Sequence, residues 1–154
     1  MNHVLLLAGG IGLVAGLRSL TAPAFVSWAA YLHWINLAGT PLAFMGSSIA
    51  VGIFTFLAII ELIADVLPKT PPRTAPMGLI ARIVTGGLSG ACIYAGAAAA
   101  PIVGAMLGII GAVIGTFGGY HIRRALVSGL KVKDIMIALP EDIVAFVLAY
   151  WIVR

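Results

Sequence analysis

Two carboxylates, Glu61 and Asp65, stand four residues apart near the end of a long apolar stretch. On a helix this spacing places both side chains on one face, one turn from each other. Ionisable groups inside a membrane usually face a bundle interior or a water-filled cavity. The pair is therefore a candidate for binding a cation or carrying a proton, and structural ion pairing with arginines is the alternative.

Arginines form the second set of candidate residues. Arg18 lies in a break between two apolar segments, and Arg82 lies inside another, with apolar residues on both sides of each. Because a guanidinium holds carboxylate or phosphate through a bidentate fork, both are candidates for contacting an anion. Arg123 and Arg124 close a further apolar segment, where extension of the side chains to lipid headgroups is the simpler interpretation.

The remaining candidates for an ion or substrate site lie in connections. Pro140 precedes Glu141 and Asp142, and proline followed by acids is typical of the first turn of a helix. The pattern predicts a break at Pro140 and a short final helix over about 141–153, whose acids cap the helix or meet buried arginines. Lys69 and Arg73, in the proline-rich connection after Asp65, complete the set.

No catalytic or metal-binding pattern joins these residues. The sequence contains no HExxH, no nucleophile elbow and no phosphate-binding glycine loop. Its single cysteine, Cys92, has no intrachain disulfide partner. The sequence thus indicates no catalytic residue, no cofactor and no metal, and an enzyme is the least favoured class.

Composition places the candidate residues in a membrane protein. The 154 residues are 62% hydrophobic and 9% charged, whereas soluble domains carry about 25% charged residues. No Asp, Glu, Lys or Arg occurs from Ser19 to Ile60 or from Ile83 to Ile122, and each stretch holds two spans of roughly 20 residues. No basic run of the kind that binds nucleic acid is present. The predicted fold is a single all-α transmembrane helix bundle over residues 1–154.

Six apolar segments follow one another, over about 3–17, 23–37, 43–67, 77–98, 101–127 and a last one broken by Pro140. The first and the last are too short for a hydrocarbon core of about 30 Å, which predicts half-helices or re-entrant pieces. Lysine and arginine occupy alternate connections, so the positive-inside rule places these connections in the cytoplasm, beneath a bacterial inner membrane. Only Arg154 opposes this pattern.

Small residues predict close packing of the helices, within the chain or between copies; a backbone-lined path for a ligand is the alternative. The first and fourth segments share a Gly-x-x-x-Gly spacing, which suggests an inverted repeat of three plus three segments. The packing glycines are Gly12, Gly16, Gly86, Gly90, Gly104, Gly108, Gly111, Gly115 and Gly119.

The chain resembles a family of small bacterial integral membrane proteins known as domain of unknown function 4126. The resemblance implies a polytopic membrane fold and supplies no substrate, cofactor or reaction. It rests on Gly16-Leu17-Arg18-Ser19, on Glu61-x-x-x-Asp65-x-x-Pro68-Lys69-Thr70-Pro71, on residues 82–90 and on Glu141-Asp142.

The leading expectation is a homo-oligomeric transport or channel-like protein for an ion or a small anionic solute. Arg18 and Arg82 would contact the anion, and Glu61 and Asp65 would carry coupling protons or cations. One alternative is an accessory protein that docks a larger membrane protein through its glycine-rich helices. Another is a protein that binds or flips phospholipid or polyprenyl phosphate at the arginines. The expected partners include membrane lipid and exclude nucleic acid.

Overall fold

The computed structural model describes residues 2–66, 74–130 and 134–154. All regular structure in these ranges is helical, as the predicted fold class requires. The helices α3 to α6 are each long and apolar enough to cross a membrane, so the chain is an integral membrane protein. The elements are α1 (Asn2–Leu17), α2 (Thr21–Tyr31), a 3-10 helix (Ala43–Gly46), α3 (Ser48–Val66), α4 (Pro76–Gly96), α5 (Pro101–Leu130) and α6 (Asp134–Val153).

Prolines and tight turns set several of the helix ends. Pro76 and Pro101 are the first residues of α4 and α5, where the missing N–H of proline removes no helical hydrogen bond. Between these helices the chain turns through four residues, 97–100, with Ala98 in the left-handed region at φ 54°. The turn from α1 into α2 is shorter still, because only residues 18–20 separate them.

The helices α1, α4 and α5 pack closely against one another. Gly108 faces Gly86 of α4 on one side and Gly12 of α1 on the other, and an added Cβ at Gly108 would lie 2.1 Å from the Gly86 carbonyl oxygen. Backbones approach this closely only where both helices present glycine. Gly16 packs against Gly115 in the same way, and Gly90, Gly104 and Gly111 are likewise buried, whereas Gly119 is partly exposed.

The prediction of a short final helix is wrong. The structure has one continuous helix, α6, of 20 residues with Pro140 inside it, so α6 is long enough to cross a membrane. A proline interrupts only one backbone hydrogen bond directly, and Ala138 before it and Ala145 after it are both buried against the bundle. Glu141 and Asp142 therefore lie within a helix, less than one turn from its middle, and not at a helix start.

The shortest α-helix in the described ranges is α2, whose 11 residues end at Tyr31 and not near the predicted position 37. His33 adopts the left-handed conformation with φ 61°. The N–H groups of Trp34 and Ile35 then both donate to the Ala29 carbonyl oxygen, at 2.8 and 3.2 Å, which closes the helix. The inverted repeat of three plus three segments stays a prediction. Its proposed counterparts α2 and α5 differ in length, with 11 and 30 residues.

Candidate functional site

Arg18 occupies the turn between α1 and α2 and is 1% exposed. Its Nε donates to Asp142 Oδ1 of α6 at 2.6 Å, and its Nη2 lies 2.5 Å from the same oxygen. Nη2 also lies 3.4 Å from Asp65 Oδ2 of α3. The turn places the guanidinium here because α1 ends at Leu17, and Arg18 then contacts Asp65 at the end of α3 and Asp142 within α6. One buried cation thus joins carboxylates from two other helices.

Glu61 holds the beginning of α2. Its Oε1 accepts hydrogen bonds from the Ser19 N–H at 2.8 Å and the Ser19 hydroxyl at 2.7 Å, and its Oε2 accepts one from the Leu20 N–H at 2.9 Å. The N–H groups at a helix start have no partner within the helix and carry partial positive charge. Leu20, at the N-cap position, has no side-chain acceptor, so a carboxylate from α3 supplies the stabilisation.

These residues form the Arg18 cluster, defined here as Arg18, Glu61, Asp65 and Asp142. It contains one basic and three acidic side chains. Arg18 is sealed, whereas the side chains of Asp65 and Asp142 keep 18% and 16% of their surface exposed. Because Arg18 already contacts two carboxylates, this arrangement disfavours an additional anion at its guanidinium.

Two buried polar atoms of the α1–α2 turn have no hydrogen-bond partner within residues 2–66, 74–130 and 134–154. They are Nη1 of Arg18 and Oγ1 of Thr21. Most buried polar groups in proteins are paired. These two atoms are therefore unused hydrogen-bonding capacity at the junction of α1 and α2. No group of three or more His, Cys, Asp or Glu side chains within the described ranges is placed to hold a metal ion.

The other predicted site residues lie apart from these contacts or outside the described ranges. Arg123 of α5 lies 3.7 Å from Glu141 Oε2 of α6 and forms a second ion pair. Arg82 is buried, and its Nη1 donates to the Gly78 carbonyl oxygen one turn earlier in α4, at 3.1 Å. The Arg124 side chain is exposed. Lys69 and Arg73 lie outside the described residues.

Hydroxyl groups are the part of the site that sequence reasoning missed. The Ser19 hydroxyl donates to Glu61. The Thr116 hydroxyl of α5 donates to the Ala112 carbonyl oxygen at 2.7 Å and lies 3.3 Å from the Gly16 carbonyl oxygen at the end of α1. The signal available was weak, because an isolated Ser or Thr in an apolar segment is common. Ser19 lies in the break after Leu17, which was a hint in the sequence, whereas Thr116 lies inside an apolar segment.

Residues 5–153 match the family described as Domain of unknown function (DUF4126). The chain belongs to this family. The match confirms the resemblance seen in the sequence, and the family's description assigns no activity. No curated protein and no solved structure matches the chain. The geometry of the Arg18 cluster is therefore the basis on which a function is proposed.

Proposed function

We propose that this protein is a small membrane transporter in which the Arg18 cluster takes up and releases a proton. The supporting observation is the contact of two carboxylates, Asp65 and Asp142, with one buried guanidinium at the break between α1 and α2, where a third carboxylate, Glu61, accepts hydrogen bonds from the adjacent N–H groups. Broken helices with polar groups at the break form the ion sites of many transporters. Ionisable side chains that face the interior of a membrane bundle commonly mark proton or ion pathways.

The unequal contacts of Arg18 suggest how a proton acts. Arginine stays charged in proteins, so the proton binds a carboxylate. Nη2 of Arg18 lies 2.5 Å from Asp142 and 3.4 Å from Asp65. A proton on Asp142 weakens the shorter contact and shifts the guanidinium toward Asp65, and loss of that proton reverses the shift. Because Arg18 belongs to the α1–α2 turn, each exchange of partner pulls on the junction of these helices.

The same electrostatics argue for a cationic and against an anionic substrate at this position. Arg18 already contacts two carboxylates, so its charge is neutralised before any solute arrives. The proposed setting is a bacterial inner membrane with the cluster at the cytoplasmic end, since Arg123 and Arg124 lie toward the end of α5 that neighbours it.

Proton flux into liposomes tests the proposal. The purified protein is reconstituted in vesicles loaded with a pH-sensitive dye. A pH gradient and a potassium diffusion potential across the vesicle membrane then drive protons inward. Asp142→Asn and Asp65→Asn should each slow the flux about tenfold or more, equivalent to at least 1.4 kcal/mol in the barrier. Glu141→Gln is the matched control: it removes one carboxylate next to Asp142, but from the pair with Arg123.

Three results contradict the proposal: parent vesicles no faster than empty ones, an Asp142→Asn variant with unchanged flux, or an equal loss in Glu141→Gln. Circular dichroism and gel filtration of each variant separate loss of transport from loss of fold.

An accessory role is the second candidate, and the outer face of α3 favours it. Ile49, Phe56 and Ile63 recur at helical spacing and are 72%, 64% and 60% exposed, and α3 is the least buried of the membrane-crossing helices. This face meets lipid or another membrane protein. In that role the Arg18 cluster only joins α1, α3 and α6. Stable co-purification with one membrane protein, lost when Phe56 is changed to Ser, would support it.

A further inference from the structure

An apolar groove of about 450 Å³ runs between α2, α3 and α6. Ala24 and Trp28 line it from α2, Ala58 from α3, and Phe146 and Tyr150 from α6. The lining residues on each helix recur at helical spacing, as at positions 21, 24, 25 and 28 of α2, so each helix presents one continuous stripe to the groove. Its volume lies within the range of about 300–1,000 Å³ that small-molecule sites occupy.

The length of the groove follows from the shortness of α2. Thr21 lines one end and Leu32 lies toward the other, a distance of about 16 Å at 1.5 Å per residue. The hydrocarbon core of a membrane is about 30 Å thick, so the groove is about as long as one leaflet is deep. A single acyl chain that enters from one leaflet has this reach.

A second cavity, of about 350 Å³, adjoins the groove at the end away from Arg18. His3 and Arg154 line it, and Trp34 and Val153 line both cavities. Arg154 donates to the Tyr150 hydroxyl and its guanidinium lies 5.6 Å from the centre of that ring. The second cavity therefore places a basic group beside the apolar groove.

We propose that the two cavities together bind one membrane phospholipid, with an acyl chain in the groove and the phosphate at Arg154. A guanidinium suits a phosphate through paired charge-assisted hydrogen bonds. Trp34 and Tyr150, whose rings lie 6.1 Å apart in an edge-to-face contact, belong to the residue types that favour the level of lipid headgroups.

The proposal also explains why Arg154 departs from the charge pattern of the sequence. The arginines that the structure describes elsewhere, at positions 18, 82, 123 and 124, lie toward the opposite end of the bundle. Binding of a lipid phosphate at this end would account for the position of Arg154 there. This site shares no residue with the Arg18 cluster, so it stands or falls independently of proton transport.

Native mass spectrometry of the full chain in detergent tests the site. The protein is titrated with phosphatidylglycerol, with diacylglycerol that lacks the phosphate, and with glycerol 3-phosphate that lacks the chains. Phosphatidylglycerol should bind at least about tenfold more tightly than either fragment, a difference of 1.4 kcal/mol. Arg154→Gln should weaken its binding about tenfold, the size expected for loss of a charge-assisted contact.

Substitutions in the groove and a matched charge control complete the test. Ala58→Phe fills the groove, and Leu32→Glu places a negative charge at an exposed lining position. If Ala58→Phe does not fold, Leu32→Glu still tests the groove. Each should weaken binding about tenfold. Arg124→Gln, an equal loss of charge at the opposite end, should weaken binding far less than Arg154→Gln.

The proposal is overturned if glycerol 3-phosphate binds as tightly as the lipid, which would make this a free-phosphate site. It is also overturned if Arg124→Gln weakens binding as much as Arg154→Gln, which would show a general effect of charge. Equal affinity of a well-folded Leu32→Glu variant and the parent would exclude the groove.

Discussion

Gly108→Ala should destabilise the bundle more than the small volume of the added methyl group suggests. The added Cβ would lie 2.1 Å from the Gly86 carbonyl oxygen, 2.8 Å from the Gly86 carbonyl carbon and 3.2 Å from the Gly90 Cα. All of these are backbone atoms of α4, so no side chain can rotate away. The strain must be relieved by separating two helices.

The structure gives the size of this separation. Ordinary contact begins at 3.4 Å, and the shortest approach is 2.1 Å, so α4 must retreat by up to about 1.3 Å. A gap of 0.5–1 Å already forfeits a quarter to a half of the dispersion energy of each contact across it. Overpacking costs about 1–3 kcal/mol, and we expect about 3 kcal/mol here. The better helix propensity of alanine offsets up to about 1 kcal/mol, leaving a net loss of about 2 kcal/mol.

Gly118→Ala is the matched control on the same helix. An added Cβ there has no atom within 4 Å, so helix propensity alone acts and the variant should gain up to about 1 kcal/mol. The free energy of unfolding, from denaturant titration in mixed micelles followed by circular dichroism, should separate the two variants by about 3 kcal/mol. Equal stability would refute the claim that backbone contact limits this interface.

Two further predictions use the same unfolding measurement. Arg18→Met should cost about 3 kcal/mol, the low end for a broken buried ion pair because Asp142 keeps 16% of its side-chain surface exposed. Adding Asp142→Leu should recover part of that loss, and a double variant less stable than Arg18→Met alone would contradict this account. Ser89→Ala should change stability by less than about 1 kcal/mol, since the buried Ser89 hydroxyl has no hydrogen-bond partner within the described ranges; a larger loss would reveal a partner.

The positions of most helices could be predicted because their signals are local. Pro76 and Pro101 begin helices at the expected places, and Leu17 ends α1 as expected. The predicted helix ends were wrong where tertiary packing or backbone conformation overrode a local sequence rule. Pro140 lies inside α6 because packing on both sides of it outweighs one lost hydrogen bond. The end of α2 depends on His33, a residue type without a strong turn signal.

The candidate site could be predicted only as a set of residue types. Glu61 and Asp65 were identified as a pair on one helix face, but they act differently: Glu61 holds the start of α2, and Asp65 contacts Arg18. The apolar groove was not foreseen, since its walls come from three helices and each stripe alone resembles ordinary lipid-facing surface.

Membrane character was determined by the sequence itself, because the burial of apolar residues in lipid depends on the composition of each segment and not on its neighbours. The partners of the charged residues were decided only by the tertiary structure. Arg18 and Asp142 are 124 positions apart in the chain, and no periodicity connects them. They meet because the glycines of α1, α4 and α5 let these helices approach until backbone touches backbone. That approach fixes where the turn after α1 lies, and so which carboxylates its arginine can reach.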